Sequence, residues 1–317
     1  MKNSTRLAIL VAALGYFVDV YDLLLFSIVR VQSLKDIGVP ESELVSTGVF
    51  LLNAQMGGLL IGGVIWGILG DKKGRLSVLF GSILLYSVGN ILNGFVTSVP
   101  SYAILRFITG IGLAGELGAG ITLVSELMPP KTRGIGTTLI ATVGVCGAVV
   151  ASLVGDLFPW RISFFIGGGL GLLFVFFRIS VPESSFFYQL NKKDCRKGDL
   201  RLLFTGNRLV RYLSCIAVGV PIWYGVGIII TFSPEIGKAL EMPVIPSAAQ
   251  AVFYTYIGLA LGDLSSGLLS QLLQSRRKAI ILFIFLGIIS SFVILNLYHS
   301  SLGNFYLWNF VLGFSLG

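Results

Sequence analysis

Long apolar runs, separated by short polar connections, make up most of this sequence. Each has close to the ~20 residues that an α-helix needs to cross the ~30 Å hydrocarbon core of a bilayer. Hydrophobic residues make up 55% of the chain and charged residues only 12%, a balance that soluble domains do not show. The sequence therefore predicts an all-α polytopic membrane protein with the lipid bilayer as its surroundings. We place the runs at about 7 to 31, 44 to 70, 76 to 97, 101 to 126, 135 to 157, 161 to 181, 208 to 233, 248 to 273 and 279 to 299, with another beginning near 302.

The basic residues are distributed unevenly between alternate connections. If the N-terminus is cytoplasmic, most of the 23 Lys and Arg residues fall on the cytoplasmic side, and the outer side keeps Arg30, Lys35, Arg161 and Lys238. Because positively charged loops stay in the cytoplasm, we predict a multi-pass protein of the cytoplasmic (inner) membrane with its N-terminus inside. Apolar sequence continues well past the length of a signal peptide, so we expect a retained first helix. The basic residues do not gather on one face, which argues against nucleic acid as a partner.

The longest polar connection divides the chain into two parts. Six runs precede it, so we predict an N-terminal six-helix half at 1–181, a central cytoplasmic loop at 182–207 and a partial C-terminal half at 208–317. A weak repeat supports this division, because GILGDKKGR after the second run and GLLSQLLQSRR after the eighth both end a predicted helix with basic residues. Paired halves of this kind are typical of secondary transporters.

Several motifs resemble those of the major facilitator superfamily. The loop at 67–75 is similar to the pattern Gly-xxx-Asp-xx-Gly-Arg. Within the fourth run, the segment from Arg106 to Gly112 is similar to Arg-xxx-Gly-x-Gly. Further segments resemble the metabolite:proton symporter and sugar-porter branch: Gly15-xxx-Asp19-x-Tyr21-Asp22, Gly115-Glu116, Pro129-xxx-Arg133-Gly134 and Pro182-Glu183-Ser184. The sequence departs from the family where Gln271 replaces the acidic residue of the second loop motif. Because the family has twelve helices, we expect a C-terminally truncated chain that does not transport by itself.

The resemblance implies a fold and a function. It implies a six-helix N-terminal bundle plus an incomplete C-terminal bundle, with about nine full spans and part of a tenth. It also implies a secondary active transporter that takes up a small polar metabolite, either an organic acid, a zwitterion or a sugar-like solute, with protons by alternating access. A uniporter or exchanger of the same fold is the alternative. We expect a monomer, without a cofactor.

Other classes of protein fit the sequence less well. A polytopic membrane enzyme such as a serine protease needs a nucleophile and a histidine base at one depth, and His299 is the single histidine. One histidine also cannot form a multi-histidine metal site, and the sequence has no Gly-xxxx-Gly-Lys-Ser/Thr loop for ATP. We therefore predict that the protein is not an enzyme. A polytopic membrane enzyme or a receptor-like protein stays the less favoured alternative, and transport driven directly by ATP has no support in the sequence.

Two carboxylates interrupt the first apolar run. Asp19 and Asp22 are three residues apart, hence ~60° apart around a helix, and Tyr16 and Phe26 extend the same stripe. A charged side chain near the middle of a span costs ~2.5 kcal/mol or more, so Asp19 should face a wet cavity or a partner. We favour a role in binding protons over a purely structural carboxylate bonded to another helix.

Arg106 and Glu116 lie on the fourth run. Ten residues of helix separate them by ~15 Å, so they cannot pair with each other. We expect Arg106 to find Asp19 or Asp22, and we predict that Arg106 and Glu116 belong to the site for protons or substrate. Alternatively, Arg106 only clamps the packing of the helices.

The loop motif predicts a conformational gate. Asp71 can bond helix-end groups or a basic side chain, while Gly67 and Gly70 let helices approach, so that the contact forms in one state and breaks in the other. Gly74 and Arg75 complete the gating motif. A solvated charged turn is the alternative.

Weaker candidates lie elsewhere in the apolar runs. Asp263 is either a coupling residue or an interhelical hydrogen-bond partner, and Trp223 with Tyr224 either line a cavity or pack. Asn53 and Gln55 are ~200° apart on a helix, so at most one faces the pathway. The pairs Gly58-xxx-Gly62 and Gly63-xxx-Gly67 predict close helix packing.

Overall fold

The computed structural model describes residues 3–128, 133–178 and 198–317, and within these residues the regular structure is entirely helical. Shorter 3₁₀ turns occur at Glu41–Glu43 and Leu200–Phe204, and a π-helix occupies Gly225–Ile230. The α-helices are α1 Asn3–Asp36, α2 Leu44–Lys73, α3 Arg75–Asn93, α4 Val99–Leu113, α5 Glu116–Leu127, α6 Arg133–Leu157, α7 Trp160–Arg178, α8 Arg208–Tyr224, α9 Ser233–Ala239, α10 Ala248–Leu272, α11 Arg276–Ile294 and α12 Leu302–Leu316.

The helices form two compact units. The N-terminal unit contains Met1–Gly147 and Val154–Asp199, and the C-terminal unit contains Ala148–Leu153 and Leu200–Gly317. The predicted boundaries at 181 and 207 stay a prediction, because residues 182–197 of the predicted central loop lie outside the described residues. Most of the motif at 129–134 and all of Pro182-Glu183-Ser184 lie outside them as well.

The apolar runs predicted from the sequence correspond to the observed helices. By length and composition, 8 helical segments of the described chain can cross a membrane, and the shorter apolar helix Trp160–Phe176 covers the sixth run. The fourth run is divided, because the helix ends at Leu113 and restarts at Glu116. Three glycines in this segment weaken a continuous helix. In the seventh run, Pro221 lacks a backbone N–H and precedes the change to a π-helix.

The sequence analysis counted Arg30 among the charges of the outer side, but Arg30 does not lie in a connection between helices. The first helix continues to Asp36, five residues beyond the predicted end of the run. Arg30 therefore lies inside α1, where its side chain is fully buried and packs over Gly48 of α2. Counting this arginine among the outer loop charges was wrong.

Glycines bring the helices of the N-terminal unit into close contact. A Cβ at Gly58 would meet the backbone carbonyl of Phe107, and a Cβ at Gly62 would lie 2.5 Å from the carbonyl oxygen of Ile111, so α2 and α4 touch backbone to backbone. The predicted packing of Gly58 and Gly62 is confirmed. It is wrong for Gly63 and Gly67, because a Cβ there would meet no atom of the described chain within 4 Å.

The remaining helices of this unit surround that contact. The third helix packs against α4 and α7, and the first packs against α5 and α7. Gly144 and Gly147 of α6 admit the ring of Tyr16 and the backbone carbonyl of Phe17, respectively, which brings α6 onto α1. Polar residues near the middle of α1, α3 and α4 are thereby enclosed among other helices.

The C-terminal unit uses the same kind of contact. The tenth helix lies along α12, where Gly258 and Gly262 face the backbone of Phe310 and Phe314, and Gly313 faces the carbonyl of Thr255. The eleventh helix also packs on α12. A mainly apolar cleft of about 680 Å³ lies between α8, α10, α11 and α12.

Candidate functional site

The acidic pair of α1 lies on a buried face of that helix. The Asp22 side chain is fully buried and that of Asp19, one turn earlier, is 7% exposed. Phe26 continues the stripe and is fully buried, whereas Tyr16 is half-buried and packs against Gly144. Residues 18–22 and 24–26 are buried on every side of α1, so burial does not single out one face, and the shared face of these four residues stays a prediction.

Arg106 of α4 is held by three kinds of contact. It is fully buried, and its Nη2 donates a hydrogen bond to Oε1 of Gln55 on α2. It also interacts electrostatically with Asp22. The guanidinium carbon lies 4.7 Å from the centroid of the Phe26 ring and 5.9 Å from that of Phe164, distances at which a cation is attracted to a ring face.

Asn90 of α3 completes this polar cluster. Its side chain is 1% exposed, and its amide lies beside the Asp22 carboxylate. Both carboxylate oxygens of Asp22, both polar atoms of the Asn90 side chain, and Nε and Nη1 of Arg106 are buried without a full hydrogen bond to the described residues. We name Asp22, Gln55, Asn90 and Arg106 the buried polar cluster.

Glycines make the close contacts between the helices that carry the buried polar cluster. A Cβ at Gly110 would meet the carbonyl of Gln55, so α2 and α4 touch one turn from Arg106. Gly89, next to Asn90, faces Thr109 of α4. Gly167 of α7 faces Oδ1 of Asp22. Each contact requires a residue without a Cβ, so the glycines of the apolar runs fix the register of the buried polar cluster.

The buried polar cluster brings two groups of opposite charge, Asp22 and Arg106, together inside the unit. A single ion at this depth is costly, but an opposite charge and hydrogen-bond partners offset the loss of water. Arg106 supplies the charge for Asp22, and Gln55 supplies an acceptor for Arg106.

Glu116 forms a separate site at the start of α5. Its side chain is 1% exposed, and its Oε2 accepts a hydrogen bond of 3.4 Å from Ser82 Oγ on α3. Gly115, just before it, packs against Ser82 and the ring of Trp66. The break between α4 and α5 thus places a buried carboxylate at a helix start, where the helix dipole favours negative charge. The described hydrogen bond of Glu116 is to Ser82, on another helix from Arg106.

The loop motif forms a charged turn at the end of α2. Nη1 of Arg75 lies 2.9 Å from Oδ1 of Asp71, and both side chains are partly exposed. Gly74 has φ of 97°, a value that favours glycine, and Gly70 faces the Arg75 side chain. Gly67 faces open space among the described residues. The ion pair exists in this state, and its role as a gate stays a prediction.

A group of hydrogen bonds around Asp36 and Arg161 joins three segments of the N-terminal unit. Oδ2 of Asp36 accepts hydrogen bonds of 3.1 Å from Trp160 Nε1 and from Arg161 Nη2. Nη1 of the same arginine donates to the carbonyls of Gly94 and Val96. The end of α1, the connection between α3 and α4, and the start of α7 are therefore joined by one arginine.

The candidates of the C-terminal unit are less enclosed. Asp263 is half-buried on α10. Tyr224 borders the apolar cleft, and Trp223 is 49% exposed. The assignment of these residues to a cavity or to a coupling site stays a prediction.

Sequence reasoning missed Asn90 and left Gln55 undecided. The structure buries Gln55 fully and leaves Asn53 exposed. A signal for Asn90 exists, because Asn90 and Asn93 are polar residues inside an apolar run, but the sequence alone does not show which of the two faces Asp22.

Comparison with known proteins identifies the family. The family model described as Major Facilitator Superfamily matches residues 8–317. The chain belongs to the major facilitator superfamily. Its fold is that of the superfamily: the xylose transporter XylE from E. coli, in a partially occluded inward open conformation, matches with a TM-score of 0.77 and 18% identity over 99% of this chain and 84% of XylE.

Two relatives indicate the range of the superfamily around this chain. The 3-(3-hydroxy-phenyl)propionate transporter of Escherichia coli (strain K12) is 30% identical over 83% of the chain and 65% of the relative. The sialic acid transporter NanX of the same strain is 30% identical over 60% of the chain and 47% of the relative. The chain spans about half the length of the first curated relatives it matches. The names of both relatives describe transporters.

Proposed function

We propose that the protein is a secondary active transporter that moves a small polar metabolite across the cytoplasmic membrane together with protons, by alternating access. One observation carries the proposal, namely the fully buried Asp22 carboxylate facing Arg106 inside a membrane span. An ionisable group at that depth is costly and is typical of a proton pathway. The N-terminus is cytoplasmic, and the transporter acts as a monomer without a cofactor.

The buried polar cluster supplies a two-state element. When Asp22 is ionised, its charge faces Arg106, which holds α1 and α4 together. When a proton binds Asp22, the attraction disappears, and Arg106 keeps its bond to Gln55. The two forms of the cluster therefore favour different contacts between helices, and a proton shifts the equilibrium between the conformations.

Among the three solute classes, the relatives favour an organic acid. The names of several relatives specify sialic acid, niacin and 3-(3-hydroxyphenyl)propionate, each of which carries a carboxyl group. A carboxylate is a natural partner for the buried guanidinium of Arg106 once Asp22 is protonated.

The remaining candidate residues have supporting roles. Asp19 and Glu116 are further proton or substrate groups of the N-terminal unit, and Tyr16 and Phe26 line the path beside them. Trp223, Tyr224 and Asp263 serve the same purpose in the C-terminal unit. Asp71 and Arg75, with Gly67, Gly70 and Gly74, form a gate whose ion pair is made in one conformation and broken in another.

Replacement of the two buried acids tests the proposal. The full-length protein, Asp22→Asn and Asp19→Asn are reconstituted in liposomes and offered labelled sialic acid, niacin and xylose under an inward proton gradient. We expect concentrative uptake to be lost in at least one variant, while exchange of labelled for unlabelled solute continues without a gradient. The control is Asp36→Asn, a partly exposed acid at the end of the same helix, with uptake normalised to folded protein because this change also weakens the hydrogen bonds to Trp160 and Arg161. Unchanged accumulation in both Asp19→Asn and Asp22→Asn would contradict proton coupling.

A uniporter or exchanger of the same fold is the second candidate. The contacts of Arg106 with Gln55, Phe26 and Phe164 favour it, because they also describe a permanent clamp between helices. The two mechanisms differ in one measurement, since only symport takes up protons together with the solute.

A further inference from the structure

We propose that Asn90 is a positioning residue that holds Asp22 in both its ionised and its protonated form. The proposal rests on the proposed proton coupling and assigns a residue of α3 to it. Asn90 itself carries no proton and no charge. Its contribution is to give the carboxyl group of Asp22 a neutral partner that remains when Arg106 no longer attracts it.

Packing on α7 places the two residues side by side. Gly167 faces Oδ1 of Asp22, so α1 meets α7 at that point. At the next residue, a Cβ on Gly168 would lie 2.6 Å from Cγ1 of Ile91, so α3 meets α7 at the same level. Asn90, which precedes Ile91, is buried there with its amide beside the Asp22 carboxylate.

The chemistry of an amide fits both forms of a carboxyl group. Its NH₂ group donates to an ionised carboxylate, and its carbonyl oxygen accepts from a protonated one, so a half-turn of the amide exchanges one for the other. Neither polar atom of the Asn90 side chain has a full hydrogen bond to another described residue. No full hydrogen bond to another described residue therefore fixes which end of the amide faces Asp22.

The other groups that face Asp22 cannot do this. Arg106 on α4 only donates hydrogen bonds, so it serves the ionised form alone. Tyr21 on α1 is titratable, but its hydroxyl already donates to the carbonyl of Ser163 at 2.9 Å. The contact from α7 is Gly167, which has no side chain. Among these described neighbours, Asn90 is therefore the neutral group that can both donate and accept.

Asn93 provides a matched control on the same helix. It is fully buried, like Asn90, but its Nδ2 donates to the carbonyl of Gly89 within α3 at 3.0 Å. Replacing either residue by leucine removes an amide of similar size from α3. Only the change at position 90 removes the neutral partner of Asp22.

The test compares Asn90→Leu, Asn90→Ser and Asn93→Leu in the full-length protein in liposomes. The measured quantities are gradient-driven accumulation and gradient-free exchange of the labelled solute that the unaltered protein takes up among sialic acid, niacin and xylose. We expect Asn90→Leu to lose accumulation by about tenfold or more, the equivalent of one hydrogen bond to a charged group, while it keeps exchange. Asn90→Ser, whose hydroxyl both donates and accepts, should recover part of the accumulation, and Asn93→Leu should retain it.

Asp22→Asn is measured beside these variants, so that two failures are distinguishable. If Asp22→Asn still accumulates solute, Asp22 is not the proton site, and the proposed role of Asn90 is refuted as well. If Asp22→Asn fails to accumulate but Asn90→Leu accumulates normally, the role of Asn90 alone is wrong. Equal losses of accumulation and exchange in Asn90→Leu, with no recovery in Asn90→Ser, would show a structural role and overturn the proposal.

Discussion

Gly62→Ala tests the close contact between α2 and α4. A Cβ at this position would lie 2.5 Å from the carbonyl oxygen of Ile111, 2.8 Å from its Cα and 2.9 Å from Cβ of Ala114. Two of the three obstacles are backbone atoms, which cannot rotate away. Ordinary contact therefore requires the helices to separate by about 1 Å, and overpacking of this kind costs about 1–3 kcal/mol.

Gly63→Ala is the matched control on the same helix. A Cβ there would meet no described atom within 4 Å, and alanine is the better helix former by up to about 1 kcal/mol. The two substitutions are chemically identical and one residue apart. Both substitutions gain the same helix propensity, so their free energies of unfolding should differ by the overpacking cost alone, roughly 1–3 kcal/mol, with Gly62→Ala the less stable.

Unfolding of the purified full-length protein in mixed detergent micelles, followed by intrinsic fluorescence, measures this difference. Trp66 supplies a local signal, because its Nε1 donates at 2.6 Å to the same Ile111 carbonyl that the new methyl group would displace. We expect a shift of the emission before unfolding in Gly62→Ala and none in Gly63→Ala. Equal stability of the two variants, with unchanged emission in both, would refute the backbone contact.

Three other changes address the remaining parts of the structure. Gly167→Ala places a methyl group against the buried carboxylate of Asp22, so we expect at least a tenfold loss of accumulation. In the control Gly169→Ala, the methyl group meets no described atom within 4 Å, and transport should be normal. Equal uptake by the two variants would argue against this packing. Asp71→Asn removes a partly exposed ion pair and should slow turnover while equilibrium binding of solute stays unchanged; weakened binding with normal turnover would speak against a gate. Asp36→Asn weakens the hydrogen bonds that Asp36 accepts from Trp160 and Arg161, and it should lower Tm by about 1–3 °C in a thermal melt. An unchanged Tm would show that these hydrogen bonds add no stability.

The helices were predictable from the sequence because the bilayer fixes their length. Apolar runs of about the right length had to become spans, and the observed helices follow them closely. The exceptions have local causes. The break before Glu116 follows a glycine-rich segment. The first helix extends past Arg30, whose buried side chain packs over Gly48.

The partners inside the bundle were harder to predict. A helix in lipid can be apolar on every side, so hydrophobicity does not reveal which face is buried. From the sequence we placed Asp19, Asp22 and Arg106 in one helix bundle, and we expected Arg106 to interact with one of the two acids. It did not identify Asn90 or decide between Asn53 and Gln55, because those contacts depend on helix rotation, which glycines on the neighbouring helices determine.

Proton movement during solute uptake tests the central claim most directly. Liposomes that contain the full-length protein and a trapped pH-sensitive dye receive the identified solute without an imposed gradient. We predict that the interior becomes more acidic as solute enters, and that Asp22→Asn, matched for protein content, takes up solute without this acidification. Solute entry without proton entry in the unaltered protein, or equal acidification in Asp22→Asn, would contradict the account.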